Sequence, residues 1–256
     1  MRTDEGDVVV LLAHQDDEFF AAPWILDERR NGRRVTAIVL TDGAARASSA
    51  VRDAESLAAL AELGVSEDEI SFLGSAHGIA DGSLVEALER VYACVHAEVR
   101  RLGLRVVRLY APEYEGGHID HDAAALLAVR YARESKAQAW GYSLYHARGC
   151  RRPFFRTLKP QLRDGARFVR YGALEAIRLT ALCRHYRSQW RTWLGLLPEA
   201  ALRRLVQRRE WVNPLDEGRL HSRPHAGPLL YEWMFGASYE RFERAVAAFG
   251  SGGAEN

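Results

Sequence analysis

Short runs of β-branched and aliphatic residues alternate with stretches of helical spacing through the first half of the chain. Val8-Val9-Val10-Leu11-Leu12, Val35 to Leu40, Ile70 to Leu73 and Val106 to Ala111 are apolar and bounded by turn-prone residues, as buried strands are. Between them, residues 18 to 31, 50 to 64, 84 to 102 and 121 to 135 place their apolar side chains near helical period. The first of these opens on acids and closes on Arg29, Arg30 and Gly32, as the helix dipole and C-cap preferences require; the second closes on Gly64. Strand and helix therefore alternate repeatedly, which implies right-handed crossovers and a mainly parallel, doubly wound α/β sheet.

Past about residue 137 the pattern changes. Trp140 to Tyr145 is strand-like and rich in aromatics, and an arginine-rich helical stretch runs from about 172 to 209. This half is expected to cap the sheet edge rather than fold alone. The organisation is thus a single domain over residues 1–249, a Rossmann-like three-layer core to about 136 and a C-terminal cap over 137–249. Residues 250–256, Gly-Ser-Gly-Gly-Ala-Glu-Asn, read as a disordered tail.

The 256 residues carry 35 basic and 34 acidic side chains, which gives no global electrostatic reason to expect nucleic acid or an anionic membrane. The acidic amino terminus leads into an apolar stretch too short for a secretory signal or a membrane span, so a cytoplasmic protein is expected. Cys94, Cys150 and Cys183 show no paired spacing and read as small buried hydrophobes. Trp190 to Leu197, followed by Arg203-Arg204 and Arg208-Arg209, has the composition of an interfacial helix meeting a lipid-linked substrate. An amphipathic helix packed on its own domain is the commoner origin of such a segment.

Chemistry concentrates in two polar clusters, each directly behind an apolar run: Ala13-His14-Gln15-Asp16-Asp17-Glu18 and Gly116-Gly117-His118-Ile119-Asp120-His121-Asp122. Carboxyl ends of strands are where open α/β sheets bind ligands. His14 and Asp17 are three apart, as are His118 and His121, so each pair can converge above the sheet. Two histidines and a carboxylate with an open position suit a catalytic divalent ion; Zn2+ is the first choice and Fe2+ the second. Asp16, beside the ligand Asp17 but pointing elsewhere, would accept a proton from the attacking water. If His121 binds the ion, His118 is free to stabilise an oxyanion or protonate a leaving amine, with Asp120 holding its other ring nitrogen. Taken singly, His14 and Asp17 read better as a strand-end histidine and a helix N-cap; joined with His118 and His121 they read as ligands. His77, His96, His146, His221 and His225 have no ligand spacing and read as structural, and His185, Ser188 and Gln189 as surface or packing residues.

These clusters resemble the LmbE-like family, which includes the N-acetylglucosaminyl-phosphatidylinositol de-N-acetylases (PIG-L) and the zinc deacetylases of thiol-cofactor biosynthesis. The likeness covers roughly the first 135 residues. The family's first motif reads Ala-His-Pro-Asp-Asp-Glu and its second His-Pro-Asp-His, so the chain departs at Gln15 and Ile119, neither of which carries the chemistry. The resemblance implies zinc on His14, Asp17 and His121, Asp16 as base, and His118 as the electrophilic or acidic histidine with Asp120 behind it. It also implies that Arg52 reaches substrate, where helical spacing alone favours a pair with Glu55. The Thr41-Asp42-Gly43 turn matches the family too. The position where relatives carry a sugar-contacting acid is left open between His77 and Asp81. The function so implied is zinc-dependent removal of the N-acetyl group from an N-acetylated amino sugar of the GlcNAc type, in a glycoconjugate or its biosynthetic precursor, so the partner is a small-molecule or glycoconjugate substrate. The reaction type comes from the site and the sugar from the resemblance. A metal-dependent phosphohydrolase with two ions, or a non-catalytic sugar-binding protein stabilised by its ion, are the alternatives.

Overall fold

The apolar runs of the first half fold as neighbouring strands of one sheet in the computed structural model, which describes residues 6–251. In chain order, β1 (Asp7–Leu12) leads through α1 (Glu18–Arg30) to β2 (Val35–Val39), α2 (Ser49–Glu62), β3 (Ile70–Phe72), the short α3 (Leu73–His77), α4 (Leu88–Arg101), β4 (Val106–Pro112) and α5 (Ile119–Ser135). The second half adds β5 (Gln138–Tyr142), two-residue strands β6 (Tyr145–His146) and β7 (Arg156–Thr157), β8 (Arg167–Arg170), α6 (Ala173–Ala181), α7 (Trp190–Gln207) and β9 (Arg209–Pro214). Three helices close the chain: α8 (Glu217–Leu220), α9 (Leu230–Met234) and α10 (Tyr239–Ser251).

The seven-stranded sheet has the order β3-β2-β1-β4-β5-β9-β8. Its first five strands are parallel, and β9 and β8 extend it antiparallel. The chain leaves β1 towards β2 on one side and returns to β4 on the other, so the β1/β4 boundary is the switch point of the topology. Diverging loops at such a boundary open a crevice at the carboxyl edge. Alternation along β1 fills the two faces: Val9 and Leu11 pack with α4, α5 and α10, whereas Val8, Val10 and Leu12 pack with α1, α6 and α7.

Local differences from the sequence expectation have identifiable causes. The third strand stops at Phe72 and Leu73 begins α3, because the chain turns tightly against Thr41; a Cβ on Gly74 would lie 2.0 Å from the Thr41 carbonyl carbon. The helix expected from 84 starts with an isolated 3-10 turn, and α4 begins at Leu88. The Trp140–Tyr145 run breaks after Tyr142, where the Ser143 hydroxyl and the Leu144 N–H donate to Glu113 and Glu115. The arginine-rich stretch is interrupted at Tyr186 between α6 and α7. Gly250 and Ser251 end α10 instead of starting a tail; residues 252–256 of the expected tail lie outside the described residues. The three cysteines are free and only half-buried.

The second half is tied to the first by a buried cation. Arg204 of α7 donates through Nε to Glu210, through Nη1 to the Leu179 carbonyl and through Nη2 to the Phe19 carbonyl, at 2.9, 2.6 and 2.6 Å. Its guanidinium lies 4.0 Å from the centre of the Phe19 ring. Among the described residues no helix is long and apolar enough to cross a membrane.

Candidate active site

Both polar clusters lie at the switch point, and each is shaped by the start of a helix. Asp17 is the N-cap of α1, yet its carboxylate caps nothing; Oδ2 accepts from the His14 N–H at 2.9 Å and Oδ1 lies 3.2 Å from His121 Nε2. His14 Nδ1 is 3.3 Å from the same His121 nitrogen and 3.9 Å from Asp17 Oδ2. Three buried donor groups from two strand ends thus converge on one point, as the sequence spacing predicts. The far nitrogen of His14 meets Asp120 at 3.1 Å and Asp81 at 3.2 Å, which fixes a proton on Nε2 and leaves Nδ1, facing Asp17 and His121, as the nitrogen that would give up its proton to a cation. Against the cost of burial, Asp81, Asp120 and Asp17 hold His14 well above the ordinary histidine range. Despite burial, His121 and His14 hold Asp17 below the usual carboxylate range.

Asp120 stands elsewhere than expected. Its carboxylate accepts the Gly82 and Leu84 N–H groups at 2.6 and 3.0 Å, in addition to His14, and does not hold the His118 ring. One residue into α5, its side chain meets the 82–84 turn, and that turn takes both oxygens. A second donor set of His14, His118 and Asp120 is also compact, but the carboxylate committed to two amides makes it the poorer cation site. His118 is itself the N-cap of α5, and its Nδ1 accepts the Asp120 N–H at 3.2 Å. The ring proton is therefore on Nε2, 4.0 Å from Asp81. Burial, with the charges of His14 and His121, brings His118 down to about 4, so it is a neutral donor at neutral pH.

Asp16 occupies a left-handed backbone conformation, φ 115°, that an L residue adopts only at a cost of about 1–3 kcal/mol. Its N–H donates to Glu18, and its carboxylate stands 3.5 Å from Arg52. Burial pushes the Asp16 carboxyl up to about 6, opposed by Arg52 and reinforced by Asp17. Arg52, buried, also donates to the Gln15 carbonyl and lies 4.0 Å from Glu55. Gln15, where the LmbE-like motif has proline, donates to Asp53 at 2.6 Å and to the Asp42 carbonyl at 3.2 Å. Gly43, at φ +57°, leaves room for this amide.

A cavity of about 270 Å³ lies over these groups. Its floor holds His14, Asp16, Asp17, Asp81 and His118, and its walls include Arg52, Tyr145, Leu196 and Phe235 from both halves of the chain. Tyr145 comes close because Gly117 lacks a side chain; a Cβ there would meet the Tyr145 carbonyl oxygen at 2.1 Å. Of the two residues left open by the sequence, Asp81 and not His77 faces the cavity; it has a turn signal in Ala80-Asp81-Gly82-Ser83 but no ligand spacing. Gln189 lines the cavity, whereas His185 and Ser188 bond to Glu62 and Glu55. A larger cleft of about 830 Å³, between α10 and the 78–90 segment, contains none of the donor set.

A mainly parallel α/β sheet with a buried His-His-carboxylate centre at its switch point, opening on a cavity that two acids and a neutral histidine also face, defines the class. Over residues 9–132 the chain matches the model of the PIG-L family, described as GlcNAc-PI de-N-acetylase. No curated protein sequence matches the chain. Among solved structures it is similar to the A40926 pseudoaglycone deacetylase Dbv21 (16% identity, TM-score 0.60, covering 82% of this chain and 97% of that one). It is likewise similar to the zinc-inhibited form of the teicoplanin deacetylase Orf2 (13%, 0.59, 82% and 99%). A third similar structure is the N,N'-diacetylchitobiose deacetylase from Pyrococcus horikoshii (18%, 0.55, 87% and 88%). At these identities the structural likeness shows a shared fold.

Proposed function

We propose that the chain is a metal-dependent N-deacetylase that hydrolyses the acetamide of an N-acetylated amino sugar in a small glycoconjugate, with both halves of the chain forming one active unit. The observation that carries this reading is the convergence of His14 Nδ1, His121 Nε2 and Asp17 at the floor of a cavity, with Asp16 beside them and outside the donor set. The reading draws its sugar from the family match and from similar structures that are themselves deacetylases, one of them acting on N,N'-diacetylchitobiose.

The donor set fits a divalent cation. His14 Nε2 faces two carboxylates, so Nδ1, the His121 nitrogen and the Asp17 carboxylate face one another, and a cation held there would take the place of the proton on His14 Nδ1. Zinc is the first assignment for such a set and iron(II) the second. A divalent cation held there supplies Lewis acidity to the amide carbonyl and lowers the pKa of water. The protein does the rest. Asp16 takes a proton from water as its oxygen attacks the carbonyl carbon, and returns that proton to the amine nitrogen as the C–N bond breaks. His118 donates its Nε2–H to the carbonyl oxygen as negative charge builds there. Arg52 holds Asp16 in place. His118 and Asp120, which a second ion would need, are committed to the helix cap and the 82–84 turn, which favours one ion over two.

Acetate release from N-acetylglucosamine conjugates tests the reading. Loss of release with a chelator and recovery with zinc or iron(II) is the expected outcome. Release that persists in the chelated protein, or phosphate release from sugar phosphates in its place, overturns it.

A further inference from the structure

The outer face of α7 does not match the expectation of a helix packed wholly on its own domain. Its inner face does pack: Trp193, Leu196 and Ala200 are buried, and Thr192 and Leu196 reach the cavity. On the opposite side Trp190, Leu194, Pro198, Leu202 and Val206 follow one another at intervals of four, one stripe along the whole helix. All are exposed, Trp190 by 56%, Leu194 by 68%, Leu202 by 63% and Val206 by 70%. The stripe continues sideways. Gly195 and Pro198 share a cleft of about 470 Å³ with the loop before β7, whose Phe154 is 71% exposed.

The segments that form this surface also carry an excess of positive charge, although Arg184 is paired with Glu62. Residues 148–163 and 184–209 together hold thirteen arginines and lysines, of which only Arg204 is buried, and a single acid, Glu199. Glu199 is itself taken by Arg203 and the Thr157 N–H. The whole chain is balanced at 35 against 34, so the excess is local. Arg191 lies 5.2 Å from the ring centre of Trp190, mixing cation and aromatic surface. A protein partner that covered only the apolar stripe would leave the cations unmatched, and a nucleic acid would match the cations but not an aliphatic row. An anionic bilayer surface meets both, because acyl chains lie directly beneath negative headgroups.

We propose that this face docks on an anionic lipid bilayer, with Phe154 and the α7 stripe entering the boundary of the acyl region and residues such as Arg151, Arg152, Arg191 and Arg208 meeting the headgroups. The membrane would then lie against the back of the helix that walls the cavity, about one helix diameter, ~10 Å, away. The inference stands independently of the reaction catalysed.

Flotation of the full chain with phosphatidylcholine vesicles, with and without about a third phosphatidylglycerol, tests it. Binding is expected only with the anionic vesicles, and weakened at about 0.5 M salt. The double variant Phe154→Ser/Leu194→Gln, changed only at exposed positions, is expected to bind about tenfold or more weakly with its melting temperature unchanged. Arg151→Gln/Arg152→Gln should lower the anionic preference. Absence of flotation overturns the proposal, as does binding indifferent to the apolar pair. So does a stable dimer of the chain that Leu194→Gln dissolves while vesicles fail to bind.

Discussion

At the carboxyl ends of β1 and β4, buried polar groups face one another across a cavity with part of their capacity unused, whereas at the meeting of α7 and β9 every nitrogen of a buried arginine is used. His121 Nδ1 has no hydrogen-bond partner among the described residues, and Asp16 sits in a strained backbone. Arg204, by contrast, spends Nε, Nη1 and Nη2 on three different elements, and its partner Glu210 also accepts from Tyr171 at 2.8 Å. Burial of charge serves reactivity in the first region and attachment in the second. Substitutions in the two should therefore separate cleanly, turnover responding in one and stability in the other.

The sharpest separation is expected at Asp16. Asp16→Asn removes the proton acceptor and should lower kcat by about 10²–10⁴ with metal content unchanged; equal turnover in the variant would remove the residue from the mechanism. Arg204→Ala leaves Glu210 buried without its partner and should cost about 3–5 kcal/mol, read by urea unfolding. The turnover of whatever remains folded should change little. His118→Asn comes next. Asparagine keeps the N-cap acceptor for the Asp120 N–H but lacks the ring donor, so kcat should fall by about 10²–10³ while metal content and melting temperature hold. A variant that loses its metal instead would make His118 a ligand.

Acidity gives the smallest and broadest effect. With the Asp16 carboxyl at about 6 in the metal-free chain and a bound cation drawing it lower, kcat/KM should rise with pH to a plateau whose acid limb lies at or below about pH 6. Stability should run the other way. Burial raises Glu18 and Glu113 to about 7 and Asp122 to about 8, above their unfolded values of 4.5 and 3.8. Their contribution is fully present below about pH 4 and is lost as pH climbs through about 8. Asp17, Asp81 and Asp120 are held low and subtract only as pH falls below their unfolded value of 3.8. His118 and His146, both lowered from 6.5 to about 4, act oppositely only below 6.5, so melting curves of metal-free protein between about pH 6.5 and 8 check the sign; a midpoint rising across that interval would contradict the burial of these acids.

Much of this layout was legible beforehand because it rests on local periodicity and spacing. Strands β1, β2 and β4, and the helices that follow them, come from runs whose apolar period leaves little choice. His14, Asp17 and His121 meet because both clusters follow adjacent parallel strands. What escaped was set by tertiary packing. The partner of Asp120 depends on a turn some forty residues earlier, which no spacing within its own motif encodes. Asp81 reaches His14 through that same turn. In α7, apolar residues stand on both faces, at Trp193, Leu196 and Ala200 as well as Trp190, Leu194 and Leu202, so periodicity could not say which side the domain would cover.

The left-handed backbone at Asp16 sets protein resilience and chemistry at odds. Glycine accepts that geometry freely, so Asp16→Gly would relax the turn and remove a carboxylate from an environment that disfavours its charge. Selection for heat tolerance alone would drift towards a tougher, inert molecule, and only a demand for turnover keeps the aspartate.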